Sequence, residues 1–419
     1  MVDNKNFFDF VIVGAGPAGL TAGIIASSKG HSVLILEKGA VPGPKPRGET
    51  IHQYDLLDEI LGQGYVQSIS KHETDERLFH SPKNLYQSMT KSSSESFVFE
   101  WRDFINKITD KAKQNQIDIR CECEVISPIE ADSRCFGVIY KNNNGEKTKV
   151  YGNAILACDG YSSSLGTYYG IDYSKINNPT IKCLVKEANI DLDDHSAFEL
   201  FLLSNGELEN FPNFPPCALF MFPRGNREIE LGLMIFTSVT LELKEVPMPD
   251  ENTIWKVWKH VKENYPDFSN FLKGANIYYE DITVIPSSGF VKNYIPKPGI
   301  VLIGDSAGFV ESSGSSGLYS SMAMGKIWVN LIEEKLTLLK KDHKDKFNFH
   351  EQIWQEKNIK EWKKQFKRTE IYKHILRVYK MFLGFILNIF KTMKTAENIN
   401  ENWEQIIAII RKAKAGDRG

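Results

Sequence analysis

The chain has 419 residues, 42% hydrophobic and 25% charged, with a formal net charge of −2. That length exceeds a single small core and predicts two or three domains. The near-neutral charge excludes an overall electrostatic pull toward nucleic acid, and no basic patch stands out in the first three quarters. The six cysteines form neither a CxxC pair nor a Cys/His cluster of zinc spacing, so no metal site is expected and they read as free thiols. The N-terminus runs directly into a strand, without the pattern of a secretory signal, and a cytoplasmic location is expected.

Phe10 to Val13 is a short apolar run. It is followed by Gly14-Ala15-Gly16-Pro17-Ala18-Gly19, a helix of small residues to about Ser28, and a second apolar strand from Val33 to Leu36. This is a βαβ unit. A helix is predicted over Ile51–Leu61, then a polar region to about Ser94, an amphipathic helix over Asp103–Asn115 and a strand over Ile117–Val125. Alternation along that strand would turn Cys121 and Cys123 to one face. Gly137 to Tyr151 reads as a hairpin with Asn-Asn-Asn-Gly at its turn. From Tyr173 to Tyr279 prolines, aromatics and alternating strands, including Cys217–Phe222 and Ile229–Phe236, predict an antiparallel sheet. Gly299–Ile303 returns to a buried parallel strand, and helices rich in lysine and aromatics follow Lys335. The expected fold is α/β: a discontinuous Rossmann-like FAD-binding domain (1–70, 95–172, 280–335), an inserted antiparallel β-sheet substrate domain (71–94, 173–279) and a helical C-terminal region (336–419).

The glycine run has the context of a dinucleotide site. It follows a strand, opens a helix and has an acid, Glu37, 18 residues beyond Gly19. Gly14 permits the tight turn, Gly16 lets the backbone approach a pyrophosphate, and Gly19 lets the helix pack closely. Amides around Pro17 and Ala18 and the helix dipole attract phosphate. Glu37, followed by Lys38, would accept hydrogen bonds from ribose hydroxyls.

Two later segments narrow the cofactor. Ile155-Leu156-Ala157-Cys158-Asp159-Gly160 and Val301-Leu302-Ile303-Gly304-Asp305-Ser306-Ala307-Gly308 are apolar strands ending in Asp-Gly and Gly-Asp. With the glycine run they resemble the three marks of the FAD flavoprotein superfamily built like p-hydroxybenzoate hydroxylase, over roughly the first 335 residues. The resemblance implies that Asp305 bonds the ribityl chain of FAD and that the helix from Gly317-Leu318 aims its amides at the flavin pyrimidine edge. It also implies that Arg102 lies near the phosphates, that Arg47 and Gly48 line the isoalloxazine, that the backbone at Val125 meets the adenine, and that Asp159-Gly160 belongs to the same site.

Within that superfamily Ala218-Leu219-Phe220-Met221-Phe222-Pro223, followed by Gly232, resembles the geranylgeranyl reductases, which saturate isoprenoid double bonds. The resemblance implies a hydrophobic or lipid substrate against Phe220, Phe222 and Pro223. The pattern departs from that family at Arg47, Ala218, Phe220 and Ser312, so two relatives stay open. Gly48-Glu49-Thr50 and Ser315-Ser316-Gly317 resemble flavin-dependent halogenases, although Gly314 stands where tryptophan halogenases place a glutamate and no catalytic lysine is evident. The Arg-Gly-Glu run also resembles FAD monooxygenases of aromatic or lipid substrates. Proton-donor candidates near the flavin are Glu49, His52, Tyr54 and Tyr319; their plainer readings are a helix-start carboxylate, a surface histidine and packing tyrosines. No second dinucleotide fingerprint occurs, so NAD(P)H or a small redox protein would dock transiently as electron donor. Met381 to Phe390 is the most apolar run, too short to span a bilayer. It reads as a buried helix closing over the other domains, with peripheral membrane contact as the alternative.

Overall fold

The computed structural model describes residues 6–43, 48–193, 195–203, 208, 210–244, 247–312, 317–342, 349–393 and 395–415, with the backbone alone at 48, 93, 342 and 412–415. Arg47, Gly314 and Ser315-Ser316 lie outside the described residues.

The first sheet begins where the apolar runs predicted it. Strands Phe7–Val13 and Val33–Leu36 pair in parallel, Asp118–Arg120 extends one side, and Lys147–Ala157 pairs in parallel on the other. Arg134–Asn142 and Cys123–Ala131 continue it as antiparallel neighbours, and Ile300–Leu302 also runs parallel to Lys147–Ala157. Phe10, Val11 and Ile12 have no exposed surface, the pattern of strands covered on both faces. The helix Pro17–Ser28 is buried without interruption from Ala18 to Ala26 because it lies between that sheet and the helices Trp101–Gln114 and Leu318–Asp342. Small residues make this possible: a Cβ at Gly325 would stand 2.8 Å from the Ala18 carbonyl oxygen.

The second sheet has eight strands, in the order Asn276–Ile285, Asn178–Lys186, Ile229–Ile235, Cys217–Pro223, Phe198–Leu202, Ser70–His80, Gln87–Glu100 and Gly48–His52. All neighbours are antiparallel except Phe198–Leu202 against Ser70–His80. Two predicted elements are corrected here. The helix expected from Ile51 starts at Asp55, and Gly48–His52 is instead an edge strand. The polar region before Ser94 carries two long strands; its alternation is of hydroxyls and charges, which leaves no apolar period to read. Gly48–His52 and residues 95–100, placed from sequence with the first domain, thus hydrogen-bond into the second sheet together with residues 87–94. The alternation argument for Cys121 and Cys123 also fails, because Glu122 adopts a φ of 55° between the two strands.

Each face of the second sheet has its own cover. Cys217, Leu219 and Met221 pack with Leu231, Leu233 and Ile235 against Ile254, Val257 and Trp258 of the helix Glu251–Asn264 and against Phe268 and Phe271. The opposite face carries Ala218, Phe220 and Phe222. At Ala218 it is closed by the C-terminal helices through Ile386, Ile389, Phe390, Ile399 and Ile406; each such side chain contributes roughly 1.5–3 kcal/mol by burial. The helix Glu370–Thr392 bridges the two sheets. Tyr372 stacks 6.4 Å from Phe309, in the loop that follows Ile300–Leu302, and Phe382 meets Phe236, just past Ile229–Ile235, edge-on at 5.7 Å. Its apolar run is therefore largely consumed by packing, although Met381 is exposed. Among the described residues no helix is long and apolar enough to cross a membrane, and no cluster of His, Cys, Asp or Glu could hold a metal ion.

Candidate active site

The three glycines of the first turn differ in what demands them. Gly14, at φ 99°, would place a Cβ 2.3 Å from the Cys158 carbonyl oxygen, and Gly19 would place one 2.0 Å from the Gly14 carbonyl oxygen. Both are required by the protein's own backbone. Gly16 has an ordinary φ of −82° and its Cβ would meet no heavy atom within 4 Å. The side of Gly16 faces open space at the first turn of the helix, where Pro17 lacks an N–H and the next amides have no intrahelical partner. That is a cradle of the shape and polarity a pyrophosphate needs.

Glu37 is buried, and its carboxylate is engaged before any ribose arrives. Oε2 accepts from the Ala15 amide at 2.8 Å and Oε1 from the Gly39 amide at 2.7 Å. Each oxygen keeps a further lone pair for a ribose hydroxyl, while Lys38 beside it is exposed. Arg102, in the first turn of its helix, donates to the carbonyl oxygens of Pro42 and Gly43 and so clamps the loop after the second strand. It lines a cleft of about 460 Å³ with Asn106, Thr109, Asp110 and Lys113. The Val125 carbonyl accepts from Ser164 Oγ at 3.2 Å.

The other two motifs meet across the strand ends. Asp159 Oδ2 accepts from Ser164 Oγ and the Leu165 amide, whereas Oδ1 is shielded from solvent with no hydrogen-bond partner. Burial raises its carboxyl above the usual range. Gly160, at φ 79°, opens on empty space. Gly304, at φ 69°, brings the backbone against Ser321, and Asp305 Oδ1 lies 3.1 Å from where a Gly317 Cβ would stand. Asp305 thus sits across the start of the helix Leu318–Asp342, at its positive end. The open face of Gly16 and the orphaned Asp159 oxygen fit FAD, whose pyrophosphate the amides of the glycine turn would hold.

The proton-donor candidates separate. Glu49 lies opposite Phe99 and His52 opposite Ser96, an odd step apart on one strand, so they point to opposite faces. Glu49 is not a helix-start carboxylate, because the strand ends before the helix begins. His52 is half-buried on the edge strand. Its Nδ1 lies 2.9 Å from the Glu95 carbonyl oxygen and 3.2 and 3.3 Å from Ser94 Oγ and Ser96 Oγ. Burial, then the charge of Arg77, push it below its ordinary range, so it is neutral at pH 7. Its ring stands perpendicular to Tyr54 at 6.4 Å, and Tyr54 stacks on Tyr319 at 3.6 Å. The tyrosines do pack, as the plainer reading held, and they form a row from the edge strand to the first turn beside Gly317. Burial, then Asp55, raise the Tyr319 phenol.

The second sheet supplies an aromatic platform. Phe220 and Phe222 stack at 5.0 Å, and Phe198 tilts against Phe222 at 5.0 Å. Gly232 is opposite Phe220 because the ring occupies its side-chain space, with Phe220 Cζ 2.0 Å from the Cβ position. Pro223 ends the strand and is buried. Sequence reasoning missed Phe198 and Arg77. The Arg77 guanidinium lies 5.4 Å over Phe198 and feels the charge of Glu311, in the loop between Asp305 and Gly317.

A digeranylgeranylglycerophospholipid reductase from Methanococcoides burtonii is 25% identical over 331 residues, covering 77% of this chain and 73% of its own length. A geranylgeranyl bacteriochlorophyll reductase-like protein from Thermoplasma acidophilum superposes with a TM-score of 0.71 at 17% identity, covering 97% of this chain and 99% of that one. A myxobacterial chondrochloren halogenase superposes at 0.63 with 15% identity, covering 96% and 90%; both likenesses to solved structures establish the fold alone. A model of the FAD binding domain matches residues 8–324, and the chain belongs to that family of FAD-dependent oxidoreductases.

Proposed function

We propose that the protein reduces carbon–carbon double bonds of an isoprenoid or similar lipid-like substrate. The observation that carries this is the Phe198–Phe222–Phe220 cluster, apolar rings of which Phe198 and Phe220 are buried and Phe222 half-buried, on the sheet face that also carries Arg77. The relative named for reduction of a digeranylgeranyl phospholipid supports the same chemistry. Bound FAD, when reduced, supplies the hydride for one alkene carbon.

The protein's task is to hold an unreactive alkene, exclude water and deliver a proton to the other carbon. The phenylalanine rings orient a flat alkene by contact, and the C-terminal helices seal the Ala218 end of the same face against water. Tyr319 is the proton donor we favour: its raised phenol stays protonated at neutral pH and Tyr54 holds its ring. Neutral His52 closes the row edge-on to Tyr54, and the proton that Tyr319 gives up is restored from solvent. Glu49, on the other face of its strand, stays outside this row. Gly14, Gly16, Gly19, Glu37, Arg102, Asp159, Gly160, Asp305, Gly317 and Leu318 are the cofactor residues of this reading. The electron donor is a transiently docking NAD(P)H or a small redox protein, and Met381 marks where the C-terminal helices would touch a membrane surface.

The test is anaerobic: FAD-loaded protein reduced with dithionite and given a geranylgeranyl lipid. Mass spectrometry is expected to show two hydrogens gained per double bond, and Tyr319→Phe to lower the rate about tenfold or more. Recovery of unchanged substrate, with a product carrying an added oxygen atom once air and a reductant are admitted, would overturn the reductase reading in favour of a monooxygenase.

A further inference from the structure

The outward faces of two C-terminal helices carry a charge that the rest of the chain does not share. Residues 356–391 hold ten lysines and arginines against three glutamates, in a chain whose formal net charge is −2. On the helix Glu356–Arg368 the cations Lys357, Lys360, Lys364, Lys367 and Arg368 are all exposed. With about 3.6 residues per turn they fall on an arc of roughly 100°, with Glu356 and Glu361 at its margins. Lys360 is matched by Glu356, whereas Lys357, Lys364, Lys367 and Arg368 have no ion pair among the described residues. The opposite side of this helix is held down by buried Trp362 and Phe366. On the helix Glu370–Thr392, Lys373, Arg377, Lys380, Gly384, Asn388 and Lys391 are exposed at steps of three or four residues and form one stripe, with exposed Met381 beside it. Phe366 and Tyr372 pack on the same ring, Phe309, at 5.5 and 6.4 Å. The faces turned away from that ring therefore adjoin where the two helices meet.

We propose that this surface docks the protein on a bilayer rich in anionic lipid, through charge rather than by insertion of the apolar run. Its composition selects that partner. An ordinary solvated helix face mixes the two signs, whereas here one sign dominates both helices. Of the nine exposed cations seven are lysines, and no aromatic residue is exposed on either helix. Protein interfaces are anchored by arginine and aromatic side chains and are poor in lysine, and single-stranded nucleic acid needs rings to stack on. A bilayer requires neither, because lysines on flexible stems meet a mobile array of headgroups and each adds a few-fold to affinity. No described helix is long and apolar enough to cross a membrane, so the association is peripheral and weakened by salt. It rests on the membrane contact proposed at Met381 only for the side that faces the bilayer, and on no particular reaction.

Co-sedimentation of the FAD-loaded protein with vesicles tests this. At low ionic strength, vesicles of phosphatidylcholine with phosphatidylglycerol are expected to bind it about tenfold or more tightly than phosphatidylcholine alone, and high salt should abolish the difference. Lys357→Gln, Lys364→Gln and Lys367→Gln together should lower the anionic partition about a hundredfold. The bound-flavin spectrum, and the dithionite assay on detergent-dispersed lipid, should not change. Lys373→Gln with Lys380→Gln, on the second helix, should lower the partition about tenfold and serves where the first set does not fold. Inorganic phosphate, compared with chloride at equal ionic strength, should not compete. Equal binding to neutral vesicles would overturn the proposal in favour of an apolar contact at Met381. So would binding that survives high salt or the triple variant, competition by free phosphate, or tighter binding to an acidic protein or a nucleic acid than to the anionic vesicles. A protein that binds neither vesicle yet reduces a geranylgeranyl lipid would end this assignment and leave the reductase reading standing. One that binds the anionic vesicles in the lysine-dependent way yet returns the lipid unchanged would uphold it and end the reductase reading.

Discussion

The glycine turn and the aromatic platform are built in opposite ways. Gly14 to Gly19 are consecutive and occupy one strand–turn–helix. Phe198, Phe220, Arg77 and His52 come from four strands and meet only through strand pairing. Gly14 and Gly19 tolerate almost no change because their neighbours are backbone atoms. The platform rests on side-chain contacts that can shift, so it is where related chains can differ in substrate while keeping one cofactor.

Gly19→Ala tests the rigidity of the first region and should have the largest effect. A Cβ 2.0 Å from the Gly14 carbonyl oxygen should cost about 4 kcal/mol or prevent recovery of soluble protein, read by denaturant melts of the apoprotein. A variant as stable as wild type would break the comparison.

The next prediction shows that the first sheet also depends on a distant residue. His350, buried among the C-terminal helices, lies with Nε2 2.6 Å from the Cys135 carbonyl oxygen, and burial pushes it down to about 4. An unfolded histidine titrates near 6.5. Between those values the unfolded state binds more protons, so stability is level above pH 6.5 and falls as the pH drops toward 4, by about 3 kcal/mol. His350→Gln should flatten that acid limb in thermal melts taken at successive pH values.

In the second region Gly232→Ala should displace the Phe220 ring and press on the Ile181 carbonyl oxygen, at a cost of about 3 kcal/mol. It should also weaken binding of an isoprenoid ligand without altering FAD affinity. Loss of FAD affinity here would show that the platform and turn are less separable than their construction suggests.

Gly16→Ala is expected to have the smallest effect on folding. Its φ is ordinary and its Cβ meets nothing, so apoprotein stability should stay within about 0.5 kcal/mol. FAD affinity should nevertheless fall about tenfold or more, by fluorescence titration. The contrast with Gly19→Ala would show that one glycine is kept for the ligand and the other for the fold.

The same contrast divides what the amino-acid sequence by itself determined from what tertiary structure decided. The apolar strand Phe10–Val13, the glycine turn, the acid at Glu37 and the strand-end aspartates Asp159 and Asp305 were legible because each carries its physics within a few neighbouring residues. The family of the cofactor followed from those alone. The edge strand Gly48–His52 and the strands through Ser70–Glu100 were not legible, since their alternation is of hydroxyls and charges that acquire an inside and an outside only once paired. For the same reason Glu49 and His52 looked alike until register set them on opposite faces. Arg77 carried no mark at all: its place is set by Phe198, 121 positions later, over whose ring it lies. Burial and pairing are properties of the assembled sheet, and no local stretch of chain contains them.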